Sequence, residues 1–511
     1  MLPSSTIAFL NPVVLLCVWA MALLLLEAFL DLTPRVISSL AMAGLIFAAA
    51  ATLAINGEAC FFWSSLCRWD GAAKFFTLFF LAVAALVLWM GEEVQPTPPN
   101  GASEFAILPL FTTAGLMLLA TANDFMLLFI ALELVTISFY ILVAYQHRSL
   151  TALEAGVKYL ILGGLSSAFL VIGVAYIFGV TGTTRFDLLQ HQLWLAGHIT
   201  SAVNPGLAFG LLMVLTGIGF KIAMVPFHSW APDVYEGAPN SITAFLSVGS
   251  KAGGLIILLR VVIGVFDDPA VSALWIPLLS VGAVASLLLG NLAAIPQRNL
   301  KRMLGYSSVG HTGFMLVAIV GASVTLSGKF SVNELDASAR GQTAVAVYLV
   351  SYLLATFAAF IVLAVLERRL PGLEIHHLAG LSQRSPLLAA TLALALVSMA
   401  GVPPLSGFIA KFLVVIVAWD RGLYTLLFFT IFAAVAAFYY YLGPIKAMYW
   451  SEPLDETPIR LNRVTSGVLI ALIVLLIGTG FWANSIGAVV NHAQMADNRA
   501  PSTSTVALAR H

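Results

Sequence analysis

Long apolar runs separated by short polar stretches set the rhythm of this chain. A helix needs roughly 20 mostly apolar residues to cross a bilayer. By that measure the pattern predicts about fourteen spans: 7–30, 35–55, 74–91, 105–121, 125–145, 157–180, 206–228, 241–263, 272–293, 303–322, 343–366, 388–416, 423–448 and 464–489. An even number of crossings puts both termini on one side. Two spans do not read as continuous helices. In 206–228, Pro226 removes a backbone donor and frees a carbonyl one turn back. In 388–416, the stretch SMAGVPPLSGFIAKF carries Pro403, Pro404 and Gly407. These are the seventh and twelfth spans, five apart. A five-helix unit crosses an odd number of times, so a second copy would be inverted. Interrupted spans at matching places in two inverted halves point to a transport site. The expected fold is an all-α polytopic membrane protein with about fourteen transmembrane helices and two inverted five-helix repeats, each containing a broken helix. The expected segments are an N-terminal three-helix part (1–100), a first half-channel (101–265), an inverted second half-channel (266–450) and a C-terminal helix and tail (451–511).

Composition agrees with the pattern. The 511 residues are 60% hydrophobic and 9% charged, against about 25% charged in soluble domains. Lys+Arg 24 balance Asp+Glu 24, so no basic surface suggests nucleic acid. The N-terminus MLPSSTIAFL lacks the basic stretch of a cleavable signal. Loop lysines and arginines lean to one side, including the cluster QRNLKR (297–302), and the positive-inside rule then puts both termini outside. Of three cysteines, Cys17 lies in an apolar run, and Cys60 and Cys67 bracket the loop CFFWSSLC. A disulfide between them requires an oxidising compartment; the alternative is two free thiols. Three cysteines without a paired CxxC cannot hold an iron–sulfur cluster. Neither a GxGxxG fingerprint nor a Walker A motif is present.

The chemistry is expected from charges placed where charge is costly. A charge at mid-bilayer costs at least about 2.5–3.5 kcal/mol and marks an ion or proton path. Glu133, Lys221 and Lys251 lie deep in apolar runs, and Lys411 lies late in its span. A carboxylate moving near a buried lysine would switch it between charged and neutral. Glu133 with Lys221 is the candidate pair. The bland alternative for these four is a purely structural buried ion pair. His228 sits at the first break. His311, in GYSSVGHTGF, is either a proton carrier or a hydrogen-bonded core histidine. Lys158 follows Glu154 by one turn, the spacing of a snorkelling ion pair. Arg260 closes its span and reads as an interfacial anchor, and Glu27, Asp124 and Glu367 read as solvated span ends.

FKIAMVPFHSWAPDVYEGAP, then SVGSKAGG, QRNLKRMLGYSSVGHTGF and LAGLSQRSPLLAATLALALVSMAGVPPLSGFIAKF resemble the proton-conducting, antiporter-like membrane subunits of respiratory complex I, NADH-quinone oxidoreductase. The resemblance covers about residues 100–450. The lysine after GVPPLSGF fits the N- or L-type branch rather than the M-type, and the chain ends soon after the fourteenth span, without an L-type lateral helix. The resemblance implies that Glu133 and Lys221 form a switching pair and that Lys251 is a central relay with His228 near by. It implies that Lys411 is the terminal proton carrier and that Lys158 is a further family lysine. His311 would bridge the halves. It further implies no cofactor in this chain. NADH, FMN, iron–sulfur clusters and quinone would lie in partner subunits, with subunit M and small subunits such as K and J as membrane neighbours in the cell inner (plasma) membrane. The related alternatives are an Mrp-type cation/proton antiporter subunit and the counterpart in a photosynthetic NDH-type complex. A structural scaffold held by buried pairs is a third class.

Overall fold

The computed structural model describes residues 11–30, 32–55, 60–94, 102–197, 203–325, 332–370, 372–453 and 455–481. The helices, in chain order, are α1 (Pro12–Phe29), α2 (Pro34–Ala54), α3 (Gly71–Glu93), α4 (Ala102–Thr121), α5 (Phe125–Val143), α6 (Leu150–Thr181), α7 (Phe186–Gly197), α8 (Pro205–Lys221), α9 (Trp230–Gly237) and α10 (Asn240–Phe245). They continue with α11 (Lys251–Val262), α12 (Pro269–Ala294), α13 (Leu300–Gly321), α14 (Val332–Glu367), α15 (Leu381–Arg384), α16 (Pro386–Ala400), α17 (Ser406–Asp420), α18 (Tyr424–Trp450) and α19 (Arg463–Phe481). Helices suit a bilayer because each satisfies its own backbone polar groups where no water is available.

Twelve of the expected spans are helices long and apolar enough to cross a membrane. The seventh and twelfth are broken, as the prolines predict: α8 stops at Lys221, and α16 and α17 are separated by residues 401–405. Residues 7–10 and 482–489 of the outermost predicted spans lie outside the described residues. Polar side chains cap several starts. Asp70 accepts from Ala73 N at 2.7 Å, Asp124 from Met126 N at 2.7 Å and Asn299 from Arg302 N at 3.2 Å, an arrangement that satisfies otherwise orphan donors.

Several local expectations are corrected. The span 241–263 is not one α-helix; a π turn at Leu246–Ser250 interrupts it just before Lys251. Such bulges re-aim the side chains that follow. The proline-rich segment after His228 forms a short helix, α9, between two expected spans. The loop 60–69 is an antiparallel hairpin pairing Cys60 with Trp69 and Phe62 with Cys67, and both cysteines are free. Its turn uses left-handed backbone at Trp63, Ser64 and Ser65, which a sequence without glycine there does not advertise. The segment between the expected spans 157–180 and 206–228 carries a helix of its own, α7.

Burial grades across the bundle. In α13 and in Asn240–Val262, 94% of the apolar window is buried, against 28% in α1 and 22% in α19. The outer helices keep apolar side chains outward, for example Phe29, Val281 and Trp450, as a lipid-facing surface requires. The inner helices are packed all round and carry the charges. Close approach matters between α12 and α13: a Cβ on Gly290 would lie 2.3 Å from Gly310 N.

Candidate functional site

The first break is built so that its loose backbone is satisfied by protein. The carbonyl that Pro226 deprives is that of Ile222, and Thr312 Oγ1 donates to it at 2.6 Å. Trp230 Nε1 donates to Phe220 O at 3.0 Å, and Val225 N donates to Ser286 Oγ at 3.0 Å. Non-helical backbone at membrane depth is tolerated only under such cover or beside a cavity. Lys221, the last residue of α8, is 6% exposed. Its Nζ donates to Thr136 Oγ1 at 2.5 Å. Thr136 sends its own proton to Leu132 O at 2.6 Å, so its oxygen is left to accept from the lysine. Glu133 lies three residues earlier on the same face of α5. Its carboxylate accepts from Ser167 Oγ of α6 at 2.5 Å. Among the described residues no direct ion pair joins Glu133 to Lys221; the lysine bonds Thr136, one turn along α5 from Glu133.

Beyond the π turn, Lys251 is 3% exposed and aims at α13. Its Nζ donates to Ser308 O at 2.5 Å and also to Ser308 Oγ. The ammonium lies 5.3 Å from the centre of the Tyr352 ring, a cation–π distance. Ser308 Oγ pairs with Tyr235 OH at 2.7 Å, and Ser247 Oγ pairs with Tyr352 OH at 2.7 Å. One turn along α13 stands His311, 6% exposed. Both ring nitrogens are engaged: Nδ1 with Tyr348 OH at 2.7 Å and Nε2 with Tyr441 OH at 3.2 Å. Tyr441 OH also bonds Ser307 Oγ.

The second break repeats the logic of the first with a different donor. Pro404 deprives the carbonyl of Ala400, and Lys411 Nζ donates to it at 2.9 Å. Lys411 is 7% exposed, and its ammonium is 4.7 Å from the Phe314 ring centre. Gly401 ends α16 in left-handed backbone, φ +88°, and Gly407 must be a glycine because a Cβ there would lie 1.8 Å from Ser398 O. A cavity with room for about one water molecule is lined by His311, Tyr348, Tyr352, Ser398 and Lys411, among others.

The other predicted residues are placed differently. His228 is half-buried; its Nδ1 is buried without a hydrogen-bond partner, and no described hydrogen bond ties it to Lys251. Lys158 bonds Glu154 at 2.7 Å, as its spacing predicts, and also Asp233 of α9 at 2.6 Å. Arg302 takes the same Asp233 at 2.6 Å and Glu236 at 3.0 Å. With a side chain 42% exposed, Lys158 belongs to this half-solvated ladder rather than to the buried lysine row. Arg260 is not a free interfacial anchor: it grips the buried Asp70 through both terminal nitrogens at 3.0 and 2.9 Å and donates to Ala120 O at 2.8 Å. Asp124 is a buried helix cap, 3% exposed, rather than a solvated end. Sequence reasoning missed Thr136, Ser167, Ser308, Tyr235, Tyr348 and Tyr441. A usable signal was present in YSS (306–308) beside His311 and in tyrosines four residues apart at 348 and 352 of an apolar span.

Lysines seated at two helix breaks, and a third bonded to a buried serine one turn from a histidine, define a polytopic antiporter-type membrane protein. The chain belongs to the NADH:quinone oxidoreductase/Mrp antiporter transmembrane family, whose pattern matches residues 122–437. It is 37% identical over 464 residues to NADH-quinone oxidoreductase subunit N 2 of Roseiflexus castenholzii, covering 90% of this chain and 91% of the relative. It is 37% identical over 431 residues to NADH-quinone oxidoreductase subunit N of Rhodospirillum rubrum, covering 84% and 83%. The structure resembles a chain of respiratory complex I from Thermus thermophilus, with TM-score 0.76, 29% identity and coverage of 93% and 98%. It also shares its fold with a chain of the Mrp complex from Dietzia sp. DQ12-45-1b, with TM-score 0.78, 20% identity and coverage of 96% and 97%.

Proposed function

We infer that this chain is the N-type proton-translocating membrane subunit of an NADH-quinone oxidoreductase. The observation that carries this reading is identity at 37% along nine-tenths of the chain to relatives bearing that subunit's name. In this reading the chain is a non-redox part of a translocase. NADH, FMN, iron–sulfur clusters and quinone are handled by other subunits, and subunit M with small subunits such as K and J flank it in the inner membrane, both termini facing outward. The breaks at 222–229 and 401–405 support two inverted halves, 101–265 and 266–450, preceded by 1–100 and followed by 451–511. Glu133 and Lys221 act as the switching pair, Thr136 fixing the lysine. Lys251 is the central relay, His311 the bridge and Lys411 the terminal carrier; His228 and Lys158 serve at the margins. Stability alone gives no reason to bury Lys221, Lys251 and Lys411 with no carboxylate among the described residues in direct contact, because each costs desolvation.

Purification in mild detergent from the native membrane tests this. The eluate should oxidise NADH with quinone and contain flavin and iron–sulfur subunits. Lys221→Ala should lower proton pumping at least about tenfold while the complex still assembles, the loss of about 1.4 kcal/mol or more. An assembled variant pumping normally would remove Lys221 from the path. Sodium-dependent transport without NADH oxidation would favour the Mrp-type antiporter reading, which rests on shared fold.

A further inference from the structure

We propose that Tyr348 carries protons between His311 and Lys411. This rests on the proton-translocating reading above. Neutral imidazole offers one donor and one acceptor. With a phenol hydroxyl on each ring nitrogen, one tyrosine donates while the other accepts. The two hydroxyls are not equivalent. Tyr441 is shared with Ser307, which anchors it to α13. Tyr348 lines the cavity that also holds Lys411. Its ring stacks on Phe314 at 6.0 Å between centroids, and the Lys411 ammonium sits 4.7 Å from that same Phe314 ring. Tyr348 is thus the hydroxyl bonded to His311 that also faces the terminal lysine.

The transfer balances without any co-reactant. A proton passed to His311 Nε2 along the Ser307 and Tyr441 hydroxyls forms an N–H bond and gives the imidazolium. The Nδ1–H bond then breaks and its proton moves to the Tyr348 oxygen. Tyr348 releases its own hydroxyl proton through the cavity to the neutral amine of Lys411. One proton enters and one leaves. Tyr348 is unchanged, and His311 is left as the other neutral tautomer, with its proton on Nε2. Rotation of the imidazole, which carries its N–H from the Tyr441 side to the Tyr348 side, together with reorientation of the two phenol hydroxyls, resets the chain, which makes the path one proton per cycle.

The test uses the intact complex in sealed vesicles, measuring protons pumped per NADH oxidised. Tyr348→Phe keeps the ring and its stack on Phe314 and removes only the hydroxyl. We expect assembly to be unchanged and pumping to fall at least about tenfold. Tyr348→His restores an exchangeable proton at the cavity and should recover part of the loss, although it fills the ring's space less well than phenylalanine. A structural role predicts the opposite order. Tyr441→Phe removes the hydroxyl on Nε2 through which the proton enters and should lower pumping as well. Wild-type pumping in assembled Tyr348→Phe, or no gain from histidine over phenylalanine, overturns the proposal. Lys221→Ala separates the failures. If it abolishes pumping while Tyr348→Phe does not, this inference alone falls; if neither variant loses pumping, the proton-translocating reading falls with it.

Discussion

Thr136→Val isolates one hydrogen bond at the heart of the first break. The substitution keeps shape and volume and replaces the hydroxyl by a methyl. In the native site, Thr136 Oγ1 accepts from Lys221 Nζ at 2.5 Å, and its own proton is committed to Leu132 O. Lys221 is 6% exposed, so bulk water is a poor replacement for the lost acceptor. A hydrogen bond to a charged group contributes about 1.5–3 kcal/mol, and leaving a buried charged donor unsatisfied costs at least as much. The protonated lysine should therefore become roughly tenfold to 150-fold less favourable relative to the neutral form. Neutral Lys221 loses the weaker bond of an amine, so the difference between the two forms is the quantity that moves. The assay is proton uptake by inside-out vesicles driven by NADH, with NADH oxidation and subunit content measured in parallel. The expected result is pumping about tenfold lower or worse in an assembled complex, with Thr136→Ser close to the parent. Normal pumping by Thr136→Val would show that Lys221 does not depend on this contact when it is loaded, and the role given to Thr136 would be wrong.

Two further predictions concern structure outside the buried lysine row. Arg260→Ala leaves Asp70 buried with its main partner gone, at a cost of about 3–5 kcal/mol, so the thermal midpoint of the detergent-solubilised protein should drop by several degrees; an unchanged midpoint would refute the clamp. Burial pushes the Asp70 carboxyl up, but the charge and hydrogen bonds of Arg260 outweigh it and hold the group below the ordinary carboxylate value of 3.8. That contribution is fully present above the ordinary value and is lost as pH falls through the depressed one, so the measurement belongs near pH 7. Cys67 should resist alkylation: burial pushes its thiol up to about 12, against smaller opposing effects from Thr121 and Arg260. At pH 8 almost no thiolate is present, so a maleimide should label it only after unfolding, and rapid labelling of the folded protein would show the hairpin to be open.

Much of this fold is legible in the sequence because the bilayer imposes so simple a rule. Apolar runs near twenty residues can be little else, and Pro226 and Pro403–Pro404 mark the two places where the rule is violated. The same rule made Glu133, Lys221, Lys251 and Lys411 conspicuous, since charge is costly there. It failed where cost is low. A serine or threonine in a membrane helix can satisfy its hydroxyl on its own backbone, as Thr112, Thr113 and Thr430 do. Nothing in the string of letters separates those from Thr136, which does the same and also accepts from Lys221, or from Ser308 and Tyr348, whose hydroxyls pair with side chains of other helices. That distinction depends on rotation about the helix axis. At Lys251 the rotation is set by a π turn that hydrophobic periodicity does not reveal. Arg260 misled for a related reason: its partner Asp70 lies 190 positions away, and each looks like a span end when read alone.

The two breaks give the clearest argument that the buried lysines are functional. Each proline strips one carbonyl of its helical donor, four residues back, and each break must find a substitute inside the membrane. At Ile222 the substitute is Thr312, a neutral hydroxyl that serves the backbone at little cost. At Ala400 the same task falls to Lys411, a side chain that must leave water to reach it. A threonine would satisfy that carbonyl as well and spare the desolvation of an amine. Lysine at this place is therefore expensive as backbone repair and makes sense only if the ammonium is needed there for another reason. The C-terminal end of α16 supplies a partial negative charge that steadies it when protonated, and the cavity beside it reaches His311 and Tyr348. At the first break the two tasks are separated: Thr312 holds the backbone, and Lys221 bonds Thr136 of α5 instead. In the second half they coincide, so a neutral Lys411 gives Ala400 a weaker partner. Loading and unloading of that lysine is thereby tied to the geometry of the break itself.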